Sequence, residues 1–139
     1  SSSAASDVYK RQIAYLKTRD RFMQAIISMS EHLLPGGILV IEPFFTPESF
    51  WVENITLNEY RDETMKISWM YVSERDRNVG IYKINYLVGT VNGVEHFTET
   101  HELGLYTTED YKSAFAAAGL RLFYDPIGPT GTGLYIGKK

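Results

Sequence analysis

The sequence of 139 residues contains no cysteine. This absence excludes disulfide bonds, catalysis by a thiol and metal sites built from thiolates, and it agrees with the cytoplasmic location that we expect. Long apolar runs are also missing. The run Ile38–Ile41 is only the size of a strand, whereas a membrane-spanning helix needs roughly 18 consecutive apolar residues. We therefore expect no membrane partner.

Neither sign of charge is concentrated in one part of the sequence. The 14 Lys and Arg residues and the 17 Asp and Glu residues give a formal net charge of −3 and are mixed along the chain. Because no basic stripe is present to contact phosphates, we expect no nucleic-acid partner. The three histidines are scattered and the carboxylates form no tight cluster, so the sequence predicts no metal site.

Residues 1–12 (SSSAASDVYKRQ) follow neither a helical nor a strand period. We interpret them as a non-native leader that resembles translated adapter DNA, and a genuine flexible N-terminus is the alternative. On the first interpretation, the natural protein continues before Ile13 and residues 13–139 are a truncated part of it.

An amphipathic helix is predicted for residues 18–34, because apolar side chains recur there at intervals of three and four. Thr18 is suited to cap its first turn, and the Pro-Gly-Gly sequence at residues 35–37 ends it. The apolar run at residues 38–41 then predicts a strand that is buried on both faces, as in parallel sheets. A helix, a tight turn and a buried strand together are typical of half a βαβ unit.

The middle of the chain, residues 58–105, alternates between apolar and polar side chains for much of its length and predicts an antiparallel meander of three strands. Asn92-Gly93 marks the hairpin before the third strand, which places Glu99 and His101 on one face. Ahead of the meander, a short helix is predicted for residues 47–57.

The last helix has the clearest boundaries. Thr107 is predicted to cap it, Asp110 completes a capping box at the third helical position, and Gly119 ends it. Two short strands are predicted to follow, at residues 120–124 and 133–136.

Two of these segments carry a resemblance to a known family. The sequences are HLLPGG at residues 32–37 followed by ILVIE at 38–42, and YTTEDY at 106–111 followed by AGL at 118–120. In this order they resemble the later helices and strands of the class I S-adenosylmethionine (SAM)-dependent methyltransferases.

A closer likeness is to the N-methyltransferases that dimethylate nucleotide-linked amino sugars in antibiotic pathways. The matching sequences are Glu-Pro-Phe-Phe at residues 42–45, Glu-Thr-His at 99–101 and Gly-Leu at 133–134. The likeness spans residues 13–137 and departs from the family at Thr132, because the sugar enzymes tend to carry Arg there. A neutral Thr cannot give the bidentate grip on a phosphate that Arg gives.

The resemblance implies an α/β fold, in which a partial Rossmann-like methyltransferase sheet carries the three-stranded antiparallel insertion on its substrate side. Residues 13–139 are then the C-terminal part of the domain. The implied cofactor is SAM, held mainly by a glycine-rich loop after the first strand and an acidic residue that ends the second. Neither is present in this chain. Gly36 and Gly37 lead from a helix to a strand, whereas a cofactor loop leads from a strand to a helix. The fragment alone is therefore expected to be inactive, and poorly stable because its sheet edges are exposed.

Methyl transfer to an amine or a hydroxyl requires the removal of a proton, and His101 is the predicted catalytic base. Glu99 lies about 7 Å away along the same strand face, by the rise of two residues, and is predicted to orient the ring or bind substrate. Glu42 follows the buried strand, where the ligands of open α/β sheets collect. The other predicted substrate-binding residues are aromatic: Tyr15 (from the resemblance alone), Phe44, Phe45 and Trp51.

Each candidate also has a plain structural interpretation. His101 is then a solvated or core histidine, Glu42 accepts hydrogen bonds from nearby backbone amides, and the aromatic side chains pack under the meander. For the whole protein, the leading hypothesis is SAM-dependent methyl transfer to a small-molecule amine or hydroxyl. The alternatives are a non-enzymatic module that binds a small molecule and a regulatory partner on the same scaffold, and a homo-oligomer is compatible with any of the three.

Overall fold

The computed structural model describes residues 12–139. Of the predicted leader, residues 1–11 lie outside the described part, and Gln12 begins a short 3₁₀ turn that extends to Tyr15. The chain divides into two compact units. We call residues 12–50 together with 104–139 the α/β unit, and residues 51–103 the sheet unit.

Two helices and seven strands follow the 3₁₀ turn in the described part of the chain. In order they are α1 (Arg19–Glu31), β1 (Ile38–Ile41), β2 (Ile55–Arg61), β3 (Met65–Asp76), β4 (Val79–Thr90), β5 (Gly93–Gly104), α2 (Thr108–Ala117), β6 (Arg121–Asp125) and β7 (Leu134–Lys138). The strands form two separate sheets, in the orders β1-β7-β6 and β2-β3-β4-β5. None of the helices formed by residues 12–139 is long and apolar enough to cross a membrane.

The core of the α/β unit is built largely from aromatic rings. The Phe22 ring of α1 stacks on Tyr106 with 3.9 Å between centroids, and Tyr111 of α2 stacks on Tyr135 of β7 at 4.0 Å. Phe22 and Ile26 are fully buried, which confirms the apolar stripe predicted for the first helix. Because ring stacks of this kind add to the gain from burial, these contacts hold α1 against Tyr106 and α2 against β7.

Strand β1 differs from its prediction in one respect. Leu39 and Ile41 are buried in the core, but Ile38 is 45% exposed. The prediction that both faces of this strand are buried is therefore wrong for residues 12–139. Successive strand residues point to opposite faces, and only the face of Leu39 and Ile41 joins the core shared with the helices. In residues 12–139, β1 pairs with β7 alone, in antiparallel register.

The ends of α2 are as predicted. The Thr107 hydroxyl accepts a hydrogen bond from the Asp110 amide at 3.1 Å, and the Asp110 carboxylate accepts one from the Thr107 amide at 3.0 Å. At the other end, Gly119 adopts a φ of +69°, a conformation that costs little only for residues without a Cβ. The capping box and the glycine stop are both confirmed.

The sheet unit has one strand more than the meander predicted. Residues 47–57 do not form the expected helix. Only the last three residues of this segment, 55–57, belong to a strand, β2, which pairs with β3 through Ile55 opposite Val72 and Leu57 opposite Met70. A single turn at residues 47–49 is closed by local hydrogen bonds between Thr46 and Ser49. Helical spacing in so short a segment is a weak signal, and pairing with a neighbouring strand overrides it.

The turn between β2 and β3 is organised by one carboxylate. Asp62 accepts hydrogen bonds from the amides of Thr64 and Met65, both at 2.8 Å, from the Thr64 hydroxyl at 3.0 Å and from the Tyr60 hydroxyl at 3.0 Å. The backbone amides, followed by these hydroxyls, lower the pKa of Asp62 to about 2. Asp side chains commonly stabilise turns in this way, and here the turn sets the register of β2 against β3.

Replacing Thr107 by Ala removes the acceptor for the Asp110 amide. We expect the free energy of unfolding of the α/β unit to fall by about 1 kcal/mol, as for other helix caps. Urea unfolding followed by far-ultraviolet circular dichroism measures this, because both helices lie in the α/β unit. Thr107→Ser keeps the hydroxyl and is the matched control, so an equal loss in both variants would contradict the prediction.

Candidate functional site

A histidine, a carboxylate and a tyrosine meet on one face of the sheet unit. His101 and Glu99 both lie on β5, and their side chains are 34% and 50% exposed. The His101 Nε2 atom is 3.3 Å from Glu99 Oε2, and the Tyr86 hydroxyl on β4 donates to the same oxygen at 3.2 Å. The pairing of His101 with Glu99, predicted from their spacing, is therefore present in the structure.

Aromatic rings surround the tyrosine of this group. Tyr86 stacks on Phe97 with 4.8 Å between centroids and an interplanar angle of 14°, and on Trp69 at 6.4 Å and 24°. Partial burial, together with the charge of Glu99, raises the pKa of Tyr86. The tyrosine therefore stays protonated at neutral pH and acts as a hydrogen-bond donor.

A second polar group lies in the α/β unit, where β1 ends. Glu42 directly follows β1 and accepts a hydrogen bond from the Thr130 hydroxyl at 2.6 Å. Thr132 donates to the Pro43 carbonyl at 3.0 Å, and its hydroxyl oxygen lies 3.1 Å from that of Thr130. These bonds hold the loop between β6 and β7 against the end of β1.

The aromatic residues predicted for the site fall into different places. Phe44 contacts Phe45 with 4.7 Å between centroids, and Phe45 contacts Phe50 at 5.5 Å, so these rings form a cluster directly after Glu42. Trp51 lies in the sheet unit and is 71% exposed. Tyr15, at the end of the 3₁₀ turn, is 46% exposed.

The structure thus brings the predicted residues together in two sets. His101 and Glu99 form one set in the sheet unit, and Glu42, Phe44 and Phe45 form the other in the α/β unit. The roles assigned to all seven residues in catalysis or substrate binding stay predictions.

Two polar residues of these sets, Tyr86 and Thr130, were not predicted from the sequence. Tyr86 precedes Glu99 by 13 residues, and its place on an alternating strand was visible, but its partner depends on the register between β4 and β5. Thr130 lies 88 residues from Glu42. No local pattern links such distant positions, because the link exists only once β1 and β7 are paired.

An apolar groove of about 350 Å³ also lies in the α/β unit. It is lined by residues of the 3₁₀ turn, of α1 and of β1: Gln12, Ile13, Leu16, Ala25, Ser28, Met29, Val40 and Ile41. The groove therefore follows the side of α1 and β1 where the described sheet ends.

The described residues do not form the glycine-rich cradle that a SAM cofactor needs. Among residues 12–139, only one connection leads from a strand to a helix, the one from β5 to α2. Its sequence is Leu-Tyr-Thr at residues 105–107, and it leads into the Thr107 capping box. The first backbone amides of that helix are thus already partly satisfied by side chains. Nor do His, Asp and Glu residues in this part of the chain gather into a group of three that could hold a metal ion.

Comparisons with known proteins agree with the resemblance. The chain is 35% identical over 126 residues to the dTDP-3-amino-3,4,6-trideoxy-α-D-glucopyranose N,N-dimethyltransferase of Streptomyces venezuelae, covering 90% of this chain and 53% of that protein. It is 33% identical over 126 residues to the dTDP-4-amino-2,3,4,6-tetradeoxy-D-glucose N,N-dimethyltransferase of Saccharopolyspora spinosa, covering 91% and 51%. This chain is homologous to part of a sugar N-methyltransferase. No protein-family model matches it.

Solved structures extend the likeness to the fold. The SAM-bound amino pentose methyltransferase CalS10 of Micromonospora echinaspora superposes with a TM-score of 0.85 at 33% identity, covering 92% of this chain and 54% of that one. A SAM-dependent methyltransferase of Clostridium acetobutylicum gives a TM-score of 0.74 at 16% identity and supports the fold alone. The α/β class and the Rossmann-like methyltransferase relationship predicted from the sequence are confirmed. The chain spans about half the length of the relatives that it matches.

The bond between Thr130 and Glu42 gives a local prediction. Replacing Thr130 by Val keeps the shape but removes the donor, so we expect backbone amides of the β6–β7 loop to exchange with solvent about tenfold faster, as for the loss of one ordinary hydrogen bond. Hydrogen exchange at the Gly133 amide, which donates to the Ile127 carbonyl at 3.2 Å, is the measurement. Thr130→Ser keeps the hydroxyl and should exchange like the unaltered chain. An unchanged rate in Thr130→Val would show that the bond does not hold the loop.

Proposed function

We propose that this chain is part of an enzyme that transfers methyl groups from SAM to the amine of a small molecule, in which His101 accepts the amine's proton. The observation that carries the proposal is the pairing of His101 with Glu99 on a partly exposed sheet face. The relatives of this chain are named as N,N-dimethyltransferases, and these names favour an amine over a hydroxyl as the acceptor.

The chemistry of an amine acceptor explains the need for a base. A nitrogen can accept a methyl group only through its lone pair, and a nitrogen that has gained a methyl group carries an extra positive charge until it loses a proton. A second methyl group can be added only after that proton is removed. Imidazole accepts protons near neutral pH, and the neighbouring Glu99 carboxylate stabilises the resulting positive charge on His101.

The main cofactor contacts are proposed to lie outside this chain. The described residues lack a glycine-rich turn from strand to helix, and the relatives are about twice as long as the match. We propose that further strands of the same sheet pack along β1 and over the apolar groove lined by Ala25, Met29 and Val40. The chain alone is then inactive, as predicted, because it holds too little of the cofactor site.

The acceptor is proposed to be an amino sugar, with Glu42 at the end of β1 as a hydrogen-bond acceptor for its polar groups. The first relatives act on dTDP-linked amino sugars. Thr132 is uncharged and its hydroxyl already donates to the Pro43 carbonyl. Position 132 therefore supplies no cationic grip on a phosphate, and a nucleotide carrier, if present, must be held by other residues.

The test uses a longer protein, obtained by extending the coding sequence ahead of Ile13. We expect saturable SAM binding in the micromolar range, within the usual span of substrate and cofactor affinities, and methylation of amino-sugar acceptors. His101→Gln should lower kcat by about 10²- to 10⁴-fold, the usual contribution of a general base, with SAM affinity unchanged.

His96→Gln is the matched control. His96 lies on the same strand as His101 but on the opposite face, where its Nε2 atom is 3.2 Å from Asn85 Oδ1, so its replacement should leave kcat unchanged. A folded longer protein that binds no SAM would overturn the enzymatic proposal and favour a binding module or a regulatory partner.

We also propose that the protein forms a homo-oligomer through the face of the sheet unit opposite His101. Five apolar side chains share that face through the pairing of β2, β3 and β4 and are each more than 40% exposed: Ile55, Leu57, Met70, Val72 and Leu87. The same face carries the ion pair between Lys83 and Glu74. A second copy related by a two-fold axis can therefore offer both apolar contact and opposite charge.

Light scattering after size exclusion tests this assembly. We expect the mass of the longer protein to be a multiple of the monomer mass, and Leu57→Lys to shift it to the monomer because a charge is then buried in the interface. Val91→Lys is the matched control. Val91 is an exposed apolar residue at a hairpin turn, away from that face, so its replacement should leave the mass of the assembly unchanged. A monomeric unaltered protein would rule out the assembly.

A further inference from the structure

We propose that Tyr86 is a positioning residue, which holds the Glu99 carboxylate against the His101 ring from the neighbouring strand. This inference deepens the proposed function, because it concerns the residue assigned there as the base. Tyr86 acts through Glu99 and needs no contact with substrate.

The shared oxygen atom is the first part of the argument. Glu99 Oε2 lies 3.2 Å from the Tyr86 hydroxyl and 3.3 Å from His101 Nε2. An ionised carboxylate can only accept hydrogen bonds, so both the hydroxyl and the ring nitrogen donate to it. The neutral ring therefore carries its hydrogen on Nε2 wherever this contact is made.

The need for a holding group follows from the exposure of Glu99. Its side chain is 50% exposed and has several rotatable bonds, so water competes for the carboxylate and many rotamers are open to it. A bond to His101 alone joins two residues of the same strand at a partly exposed site, where single ion pairs contribute little. A second donor from another strand removes part of this freedom.

Tyr86 is itself fixed in place. Its ring is stacked on Phe97 of β5 and on Trp69, which is its partner in the β3–β4 register. Rings packed on both sides leave the hydroxyl little freedom to move, so the oxygen of Tyr86 gives Glu99 a fixed point to bind. The raised pKa of Tyr86 keeps that donor protonated.

The experiment follows the ring N–H hydrogen of His101 by NMR in the chain with isotope-labelled histidine. Tyr86→Phe removes only the hydroxyl and keeps the ring stack. We expect the Nε2 hydrogen to exchange with water about tenfold faster in this variant. The reason is that the contact between His101 and Glu99 loses the support of one ordinary hydrogen bond. Glu99→Gln replaces the charged acceptor of the His101 N–H group by a neutral amide. It should increase the exchange rate of the Nε2 hydrogen at least as much.

His96 provides an internal reference in the same spectra, because its ring contacts Asn85 and not Glu99. Its signal should be unchanged in both variants, which also shows that the sheet is still folded. An unchanged exchange rate for His101 in Tyr86→Phe, with Glu99→Gln showing the expected increase, would overturn the proposal.

A second readout separates positioning from methyl transfer itself. In the longer protein, Tyr86→Phe should lower kcat about tenfold with little change in KM, and adding it to Glu99→Gln should lower kcat no further, since residues that act as one unit are not additive. If the NMR result holds but His101→Gln has full activity, the proposed function fails while the positioning role stands. If the two substitutions multiply in their effect on kcat, the positioning role fails.

Discussion

The α/β unit depends above all on the packing of Tyr135, which lies on the central strand of its sheet. The ring is fully buried and stacks on Tyr111 of α2 at 4.0 Å and on Tyr124 of β6 at 4.7 Å, and its hydroxyl donates to Thr108 at 3.1 Å. Burial raises the pKa of Tyr135 to about 12, so the hydroxyl remains a donor. Tyr135 also pairs with Ile41, the last residue of β1. Through its side chain and its strand pairing, this residue therefore contacts the second helix and both neighbouring strands, next to the point at which Glu42 leaves the sheet.

The two polar sets follow the same physical rule in different ways. In each, a carboxylate that would otherwise be free to rotate is held by a hydroxyl from a different element: Glu42 by Thr130, and Glu99 by Tyr86. Neither carboxylate is deeply buried, so neither needs a full ion pair to offset desolvation. A hydroxyl supplies direction without neutralising the charge, which suits a carboxylate that must still interact with a cationic imidazole or with substrate.

Much of this arrangement could be predicted because its signals are local. The two helices were predicted from apolar spacing and capping residues, and the capping box at Thr107 and the stop at Gly119 lie within a few residues of the elements that they bound. The pairing of His101 with Glu99 is equally local, since residues two apart on a strand share a face. The helix expected at residues 47–57 is absent for the opposite reason. The segment has no strong period of its own, and β3 supplies the hydrogen bonds that make residues 55–57 part of a strand.

The sequence by itself determined the class of fold, the start of both helices, the end of the second helix, the hairpin at Asn92-Gly93 and the likeness to sugar methyltransferases, because these depend on neighbouring residues and on ordered motifs. The first helix ends at Glu31, three residues before its predicted end at residue 34. Only the tertiary structure decided that the antiparallel sheet has four strands, that one face of β1 joins the core, and that Tyr86 and Thr130 are the partners of Glu99 and Glu42. Each of these depends on strand register or on contacts between residues far apart in the chain. Such contacts are set by the packing of the whole unit, and no short stretch of residues encodes them.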